Sequence, residues 1–376
     1  MAEGYMTKDL LPNEDYNRNY ARWSEGGWGM LITGNVMVDP KRISGPGAFV
    51  VNTAVDRKIQ LDKYSAFARA AKQNGTKVLV QLCHPGRQAL AGSGTKGLCE
   101  KSIAPSPIPL RLGDGIVNKI LASMAFGTPR EMTTADISRV VEHFADAAKL
   151  MAEADLDGIE LHGAHGYLLS QFLSAESNMR TDEYGGSALK RAAMPVEVIK
   201  AVRAAVPSAF IIGFKLDSVD YQTTDELADC IEQFRAIAEA GVDFIEISGG
   251  TYGDPVMVDG PPKSSRTKAR EAYFLHFAET FRLSFPNVPL MVTGGFHSRK
   301  GMEEAVTGGG TDLIGVGRAA VMEPSLPSEI MLNPNLPTSD AIVKVERYIS
   351  PWYLNIGVKA IGVGYENAMY ANKMSS

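Results

Sequence analysis

Seven short apolar runs recur along the chain, at 29–36, 77–82, 157–162, 210–215, 242–248, 289–293 and 312–316. Most are β-branched and apolar throughout rather than alternating, the pattern of strands covered on both faces, as in a parallel sheet. Between them the apolar positions repeat with helical spacing, over 13–25, 56–74, 134–154, 189–205, 224–240, 269–285 and 299–307. Asp or Thr stands near several of these helix starts, and Gly75 and Gly241 follow helix ends, where capping chemistry prefers them.

A regular strand–helix alternation with right-handed crossovers gives an open doubly wound sheet or a closed barrel. Polar residues gather at the C-terminal ends of many strands (Asn35, Gln81 to His84, His162, Lys215, Ser248 and Thr293), and in barrels that end is the active face. No Gly-x-Gly-x-x-Gly follows an early strand, so the dinucleotide fingerprint of a doubly wound fold is missing. The expected fold is therefore α/β, a TIM (β/α)8 barrel over residues 1–330. Such a barrel needs eight strands and the pattern supplies seven, with a helix first. Either the first strand precedes Met1 or another segment fills its slot. Residues 92–133 have no clear period and are rich in Gly, Pro and Ser, which predicts a lid or insert. Residues 331–376 form a C-terminal tail whose aromatic stretch 348–353 should pack on the barrel or on a partner subunit, a possible homo-oligomer.

Composition narrows the partners. The net charge is -5 and the basic residues are dispersed, which argues against a nucleic-acid groove or an anionic membrane surface. No apolar run approaches the roughly 20 residues that span a bilayer. The N-terminus lacks the basic-then-apolar order of a secretory signal. Cys83, Cys99 and Cys230 include no Cys-x-x-Cys pair, so zinc-ribbon and iron–sulfur ligand sets are absent. Reduced thiols suit a cytoplasmic location.

The strongest chemical signal begins at His162. Residues 162–174 read His-Gly-Ala-His-Gly-Tyr-Leu-Leu-Ser-Gln-Phe-Leu-Ser, and 177–187 read Ser-Asn-Met-Arg-Thr-Asp-Glu-Tyr-Gly-Gly-Ser. His162 ends a strand and His165 sits just beyond, so two imidazoles can aim N–H donors at one oxygen and stabilise a developing enolate. Tyr167 follows; a phenol, with a pKa of about 10, can deliver a proton to carbon. A metal reading fails, since no Glu lies between the histidines and no third ligand is evident. Two glycine turns, Thr293-Gly294-Gly295 and Gly315-Val316-Gly317-Arg318, close the barrel where its phosphate site usually lies. A single phosphate site suits a mononucleotide. His84 either lines the substrate face or holds its own loop. Arg180, Asp182, Glu183 and Tyr184 read as an ion-pair and turn cluster bracing the signature loop. Asp217 and Asp220 read as capping or solvated carboxylates rather than an acid/base pair.

The 162–187 signature, Gln-Leu-Cys-His-Pro-Gly-Arg at 81–87 and Gly-Val-Gly-Arg at 315–318 together resemble the Old Yellow Enzyme family, from Met1 to about Pro324. The resemblance implies an FMN-dependent oxidoreductase that uses NADPH or NADH, NADPH being preferred, to reduce the C=C bond of small α,β-unsaturated carbonyl compounds. Tyr167 would give the proton, and His162 and His165 would bind the carbonyl oxygen. Gln81 would bind the flavin's pyrimidine edge, and Asn35 would lie at the cofactor. Lys215, where the family more often has Arg, would place a cation near flavin N1. Gly294, Gly295, Gly317 and Arg318 would hold the phosphate. Ala2 falls where the family has a Thr or Cys on the flavin C4 carbonyl. Two other readings are a dihydroorotate- or dihydrouridine-type barrel, which lacks its catalytic Cys or Ser loop, and a flavin-binding barrel without turnover.

Overall fold

The computed structural model describes residues 3, 7, 9–45, 47–97, 100–113, 115–217, 224–248, 281–345, 348, 351 and 359–375. In chain order the strands are β1 (Met30–Met37), β2 (Phe49–Val50), β3 (Lys77–Cys83), β4 (Ile103–Ala104), β5 (Arg130–Glu131), β6 (Gly158–Gly163), β7 (Ile211–Asp217), β8 (Phe244–Ser248), β9 (Leu290–Thr293) and β10 (Leu313–Gly315). Eight of them form one parallel sheet in the order β10-β9-β8-β7-β6-β3-β1-β2. With its helices the sheet makes an α/β fold of the TIM-barrel type.

Seven strands of this sheet stand at the predicted apolar runs. The eighth, β2, has only two residues, too few to show a period. It pairs beside the upper end of β1, Val36 with Phe49 and Met37 with Val50. Among the described residues no strand precedes the first helix, α1 (Glu14–Glu25), and β2 occupies the upper part of the edge beside β1.

At the lower end of the ring, the start of β1 is tied to the chain that returns from β10. Trp23 Nε1 donates to Ala320 O at 2.8 Å, and Trp28 Nε1 to Pro324 O at 2.7 Å. Ser328 N donates to Gly26 O at 3.1 Å. Gly26 is required by this approach, since a Cβ there would stand 2.1 Å from Pro324 O.

The helices begin where their caps dictate. Asp56 accepts from Lys58 N at 2.9 Å and opens α2 (Arg57–Ala71). After α3 (Ile116–Ala125), Thr133 and Asp136 form a reciprocal capping box that opens α4 (Thr134–Glu153). Further on come α5 (Leu168–Leu173), α6 (Ala188–Ala205), α7 (Thr224–Glu239), α8 (Arg299–Thr307), α9 (Arg318–Met322) and α10 (Lys359–Ser375). Of the helix predicted over 269–285, residues 281–284 are helical and the rest lies outside the described residues.

The outward faces of the strands (Val78, Val80, Leu82, Ile159, Leu161, Phe214, Ile245) join the helices in the main core. The inward faces build a layered lumen. Its floor is apolar, with Leu79, Phe244 and Met291 packed on Met30 and Ile32. Two residues up each strand the lumen turns polar, with Gln81, Glu160, Lys215 and Glu246, all buried. A register shift in β1 between Ile32 and Asn35 lets Asn35, paired with Gln81, share the inward face that strict alternation from Ile32 would give to Gly34.

The aperiodic segment 92–133 holds α3 and the small β4–β5 sheet. Helix α3 packs Ala122 inward yet exposes Ile116 by 76% and Met124 by 73%, so its apolar residues are not confined to one buried stripe. In the tail, Tyr370 of α10 is buried, and its ring lies 5.2 Å from that of Tyr348. Trp352 and Tyr353 of the predicted aromatic stretch lie outside the described residues. Among the described residues no helix is long and apolar enough to cross a membrane.

Candidate active site

The upper lumen gathers the signature residues. His162 ends β6, and its ring centroid lies 5.0 Å from that of His165 and 4.8 Å from that of Tyr167, both edge-on. His165 holds a left-handed backbone, φ 57°, a strained choice for a side-chain-bearing residue. Two contacts fix it there. Its N–H donates to Asp217 Oδ2 at 2.7 Å, and its Nε2 lies 3.3 Å from Ser248 Oγ. Asp217 also accepts from Ser170 at 3.3 Å, so this carboxylate anchors the signature loop. Asp220 lies outside the described residues.

Both imidazoles are held neutral. Burial pushes His162 well below its ordinary pKa, and His165 and Lys215 push the same way. Burial and Lys215 bring His165 down to about 3. A neutral imidazole has one N–H. His162 Nδ1 accepts from Ala164 N at 3.3 Å, which places the proton on Nε2. Tyr167 is buried, and its hydroxyl accepts from Asn35 Nδ2 at 3.0 Å.

Beneath them lies the charged layer. Gln81 Nε2 donates to Glu160 Oε2 at 2.5 Å, while Gln81 Oε1 is buried with no hydrogen-bond partner. Thr33 accepts from Gln81 N at 3.0 Å. Lys215 pairs with Glu246. Burial alone would depress Lys215, but Glu246 and Glu160 raise it above its usual value. Burial would raise Glu246, but Lys215 and its other hydrogen bonds lower it to about 2. Glu160 is raised well above the carboxylate range by burial and by Glu246.

The two glycine turns are neighbours, because Gly315 pairs with Thr293 across β9 and β10. Gly294 (φ 141°) and Gly295 (φ 77°) take conformations that favour glycine. Gly317 precedes α9, and Arg318 opens it, 3.7 Å from the buried Glu366 of α10. Ala2 lies outside the described residues.

His84 does not reach the histidine pair. Its Nδ1 accepts from Gly86 N at 3.1 Å, and its Nε2 lies 3.5 Å from Asp39, which Arg42 also holds. Arg180 pairs with Asp182 and donates to Pro105 O at 3.2 Å and Met132 O at 2.7 Å, joining the signature loop to the insert. Cys83 and Cys230 are buried, and Cys99 lies outside the described residues. Among the described residues no group of three His, Cys, Asp or Glu could hold a metal.

The sequence reading passed over Glu160 and Glu246. The signal was available, since each stands two residues before a polar strand end, His162 or Ser248, and so shares its inward face.

Fold and site together give a TIM-type barrel whose lumen is polar at the C-terminal ends of its strands. A model of the NADH:flavin oxidoreductase / NADH oxidase family matches residues 5–336. The chain belongs to that family of flavin-dependent enzymes, whose cofactors are FMN and a reduced nicotinamide nucleotide. It is 44% identical over 386 residues to an NADH-dependent flavin oxidoreductase of Neonectria sp. (strain DH2), covering 99% of this chain and 50% of that one. It is 41% identical to an NADH-dependent flavin oxidoreductase of Hypocrea jecorina (strain QM6a), covering 98% and 92%. The chain thus spans half the length of the first relative and nearly all of the second. In fold it is similar to a 2-naphthoyl-CoA reductase complex (TM-score 0.77, 20% identity, 100% of this chain and 54% of that one). It is similar also to the old yellow enzyme homologue of Zymomonas mobilis (TM-score 0.69, 20% identity, 91% and 90%).

The residues present fit a flavin. Its pyrimidine edge offers an N–H donor, and Gln81 Oε1 is a buried acceptor in need of one. Lys215 supplies a buried cation suited to an electron-rich reduced ring.

Proposed function

We propose that this protein reduces the activated C=C bond of small α,β-unsaturated carbonyl compounds at the expense of NADH. The observation that carries the reading is the approach of His165 and Tyr167 to His162 at the lumen mouth, each ring within 5.0 Å of the His162 ring. Bound FMN supplies the hydride for the β-carbon. Gln81 and Lys215 hold the pyrimidine side of the ring, and Gly294, Gly295, Gly317 and Arg318 hold the phosphate. His162 and His165 orient the substrate and draw charge onto its carbonyl oxygen as neutral donors, so no proton is spent there. Tyr167 protonates the α-carbon, its hydroxyl oriented by Asn35. NADH is favoured over NADPH because both fungal relatives described above bear NADH in their names.

The test is product analysis. Protein reconstituted with FMN is mixed with NADH and cyclohexenone without oxygen. The account expects stoichiometric cyclohexanone. Oxidation of NADH only when oxygen is admitted, with the enone untouched, would leave an oxidase without this substrate class.

A further inference from the structure

Among the described residues the polar layer contains one cation and two carboxyls, all three buried on neighbouring strands. Glu160 and Lys215 flank the position of Gly213, which pairs with Glu160 and contributes no side chain to the space between. Lys215 pairs with Glu246 on the next strand. Glu160 acts electrostatically on both Glu246 and Lys215, so the two carboxyls and the amine form one cluster. Two carboxylates are both acceptors and offer each other no donor unless one carries a proton. Glu160 Oε2 is already taken by Gln81, and its Oε1 finds no partner as a carboxylate. A second unpaired charge in this layer would also be costly to bury. The next carboxylate, Asp217, is engaged above by His165 N and Ser170.

We propose that Glu160 and Glu246 act as one anion holding one proton, a positioning pair that cancels the Lys215 charge and thereby sets the reduction potential of the flavin above it. The inference rests on the flavin occupying the pocket assigned under Proposed function, but not on the substrate. Either carboxyl can carry the single negative charge. Lys215 therefore keeps one anionic partner when only one of the two is neutralised, and it loses that partner when both are.

The experiment is a cycle of Glu160→Gln, Glu246→Gln and the double variant in the FMN-loaded protein, read by equilibrium reduction against a reference dye. Glu160→Gln replaces a neutral acid by a neutral amide that keeps an acceptor for Gln81 and a donor for Glu246, and is expected to change the reduction equilibrium less than twofold. Glu246→Gln transfers the charge to Glu160 and is likewise expected to stay within a few-fold. The double variant is expected to favour reduced flavin at least tenfold, about 30 mV for a two-electron couple. A tenfold effect from Glu160→Gln alone, or additive single effects, means two ionised carboxylates and overturns the proposal. No effect in the double variant also overturns it. Infrared difference spectra of flavin-free protein give an independent reading should the double variant fail to fold. Wild type minus Glu160→Gln should show the loss of a protonated carboxyl band, and loss of carboxylate bands instead would refute the shared proton. Because that reading needs no flavin, it separates failure of this pair from failure of the functional assignment.

Discussion

The environment of His165 makes a pH prediction with a definite sign. In the unfolded chain its imidazole titrates near about 6.5, and in the folded protein it stays neutral down to about 3. Protons are therefore taken up preferentially by the unfolded chain in that window, and the contribution to stability falls as pH falls below about 6.5. His165→Asn should lose less stability between pH 7 and pH 5 than the parent in chemical denaturation; equal losses would mean the imidazole is not held neutral. Oxygen-binding by the histidine pair is tested with phenols, which should give a charge-transfer band with the oxidised flavin. His162→Ala/His165→Ala should weaken that binding by more than tenfold, since one lost oxyanion donor costs about 3 kcal/mol. Unchanged phenol affinity would remove the pair from the site. The parts of the site legible in sequence were those at strand ends, such as His162, Gln81 and Lys215, because a polar residue closing an apolar run is conspicuous. What Asn35 touches was not legible, because the register shift that turns it toward Tyr167 leaves no mark on the apolar pattern. Glu160 and Glu246 were overlooked because each sits inside a run that is otherwise apolar.

Among elements, the seven longer strands were readable because burial on both faces imposes continuous apolar runs. Element β2 was not, since pairing with β1 through two residues needs no pattern of its own. Helix α3 was hidden for a different reason. Its apolar residues fall on both exposed and buried sides, so no stripe announces it. The insert that carries it is fastened to the signature loop through Arg180. Arg180→Ala would leave the carbonyls of Pro105 and Met132 without their donor, at a cost of about 3 kcal/mol. Denaturant unfolding should show that loss, and limited proteolysis should cut first within 92–133. A variant as stable as the parent, with an uncut insert, would mean the two segments are held together by something else.

At the scale of the whole molecule, the lower end of the ring is joined by Trp23, Trp28 and the close approach of Gly26 to Pro324. Gly26 has an ordinary helical φ, so Gly26→Ala tests the approach alone and not backbone strain. It should lower stability by about 2 kcal/mol, whereas an alanine on the exposed face of α1 should fall within about 0.5 kcal/mol. If Gly26→Ala matched that surface control, the two ends would not be in the contact described. On the proposed function, a flavin lies under the histidine pair and Tyr167, and Tyr167 serves only the alkene. Stopped-flow spectroscopy of Tyr167→Phe separates the two half-reactions. Reduction of the flavin by NADH should proceed at nearly the parent rate, while reoxidation by cyclohexenone should slow by about 10²–10⁴-fold, the contribution of a positioned acid. Equal slowing of both halves, or slowing of the NADH half alone, would contradict the assignment of Tyr167 as the proton donor.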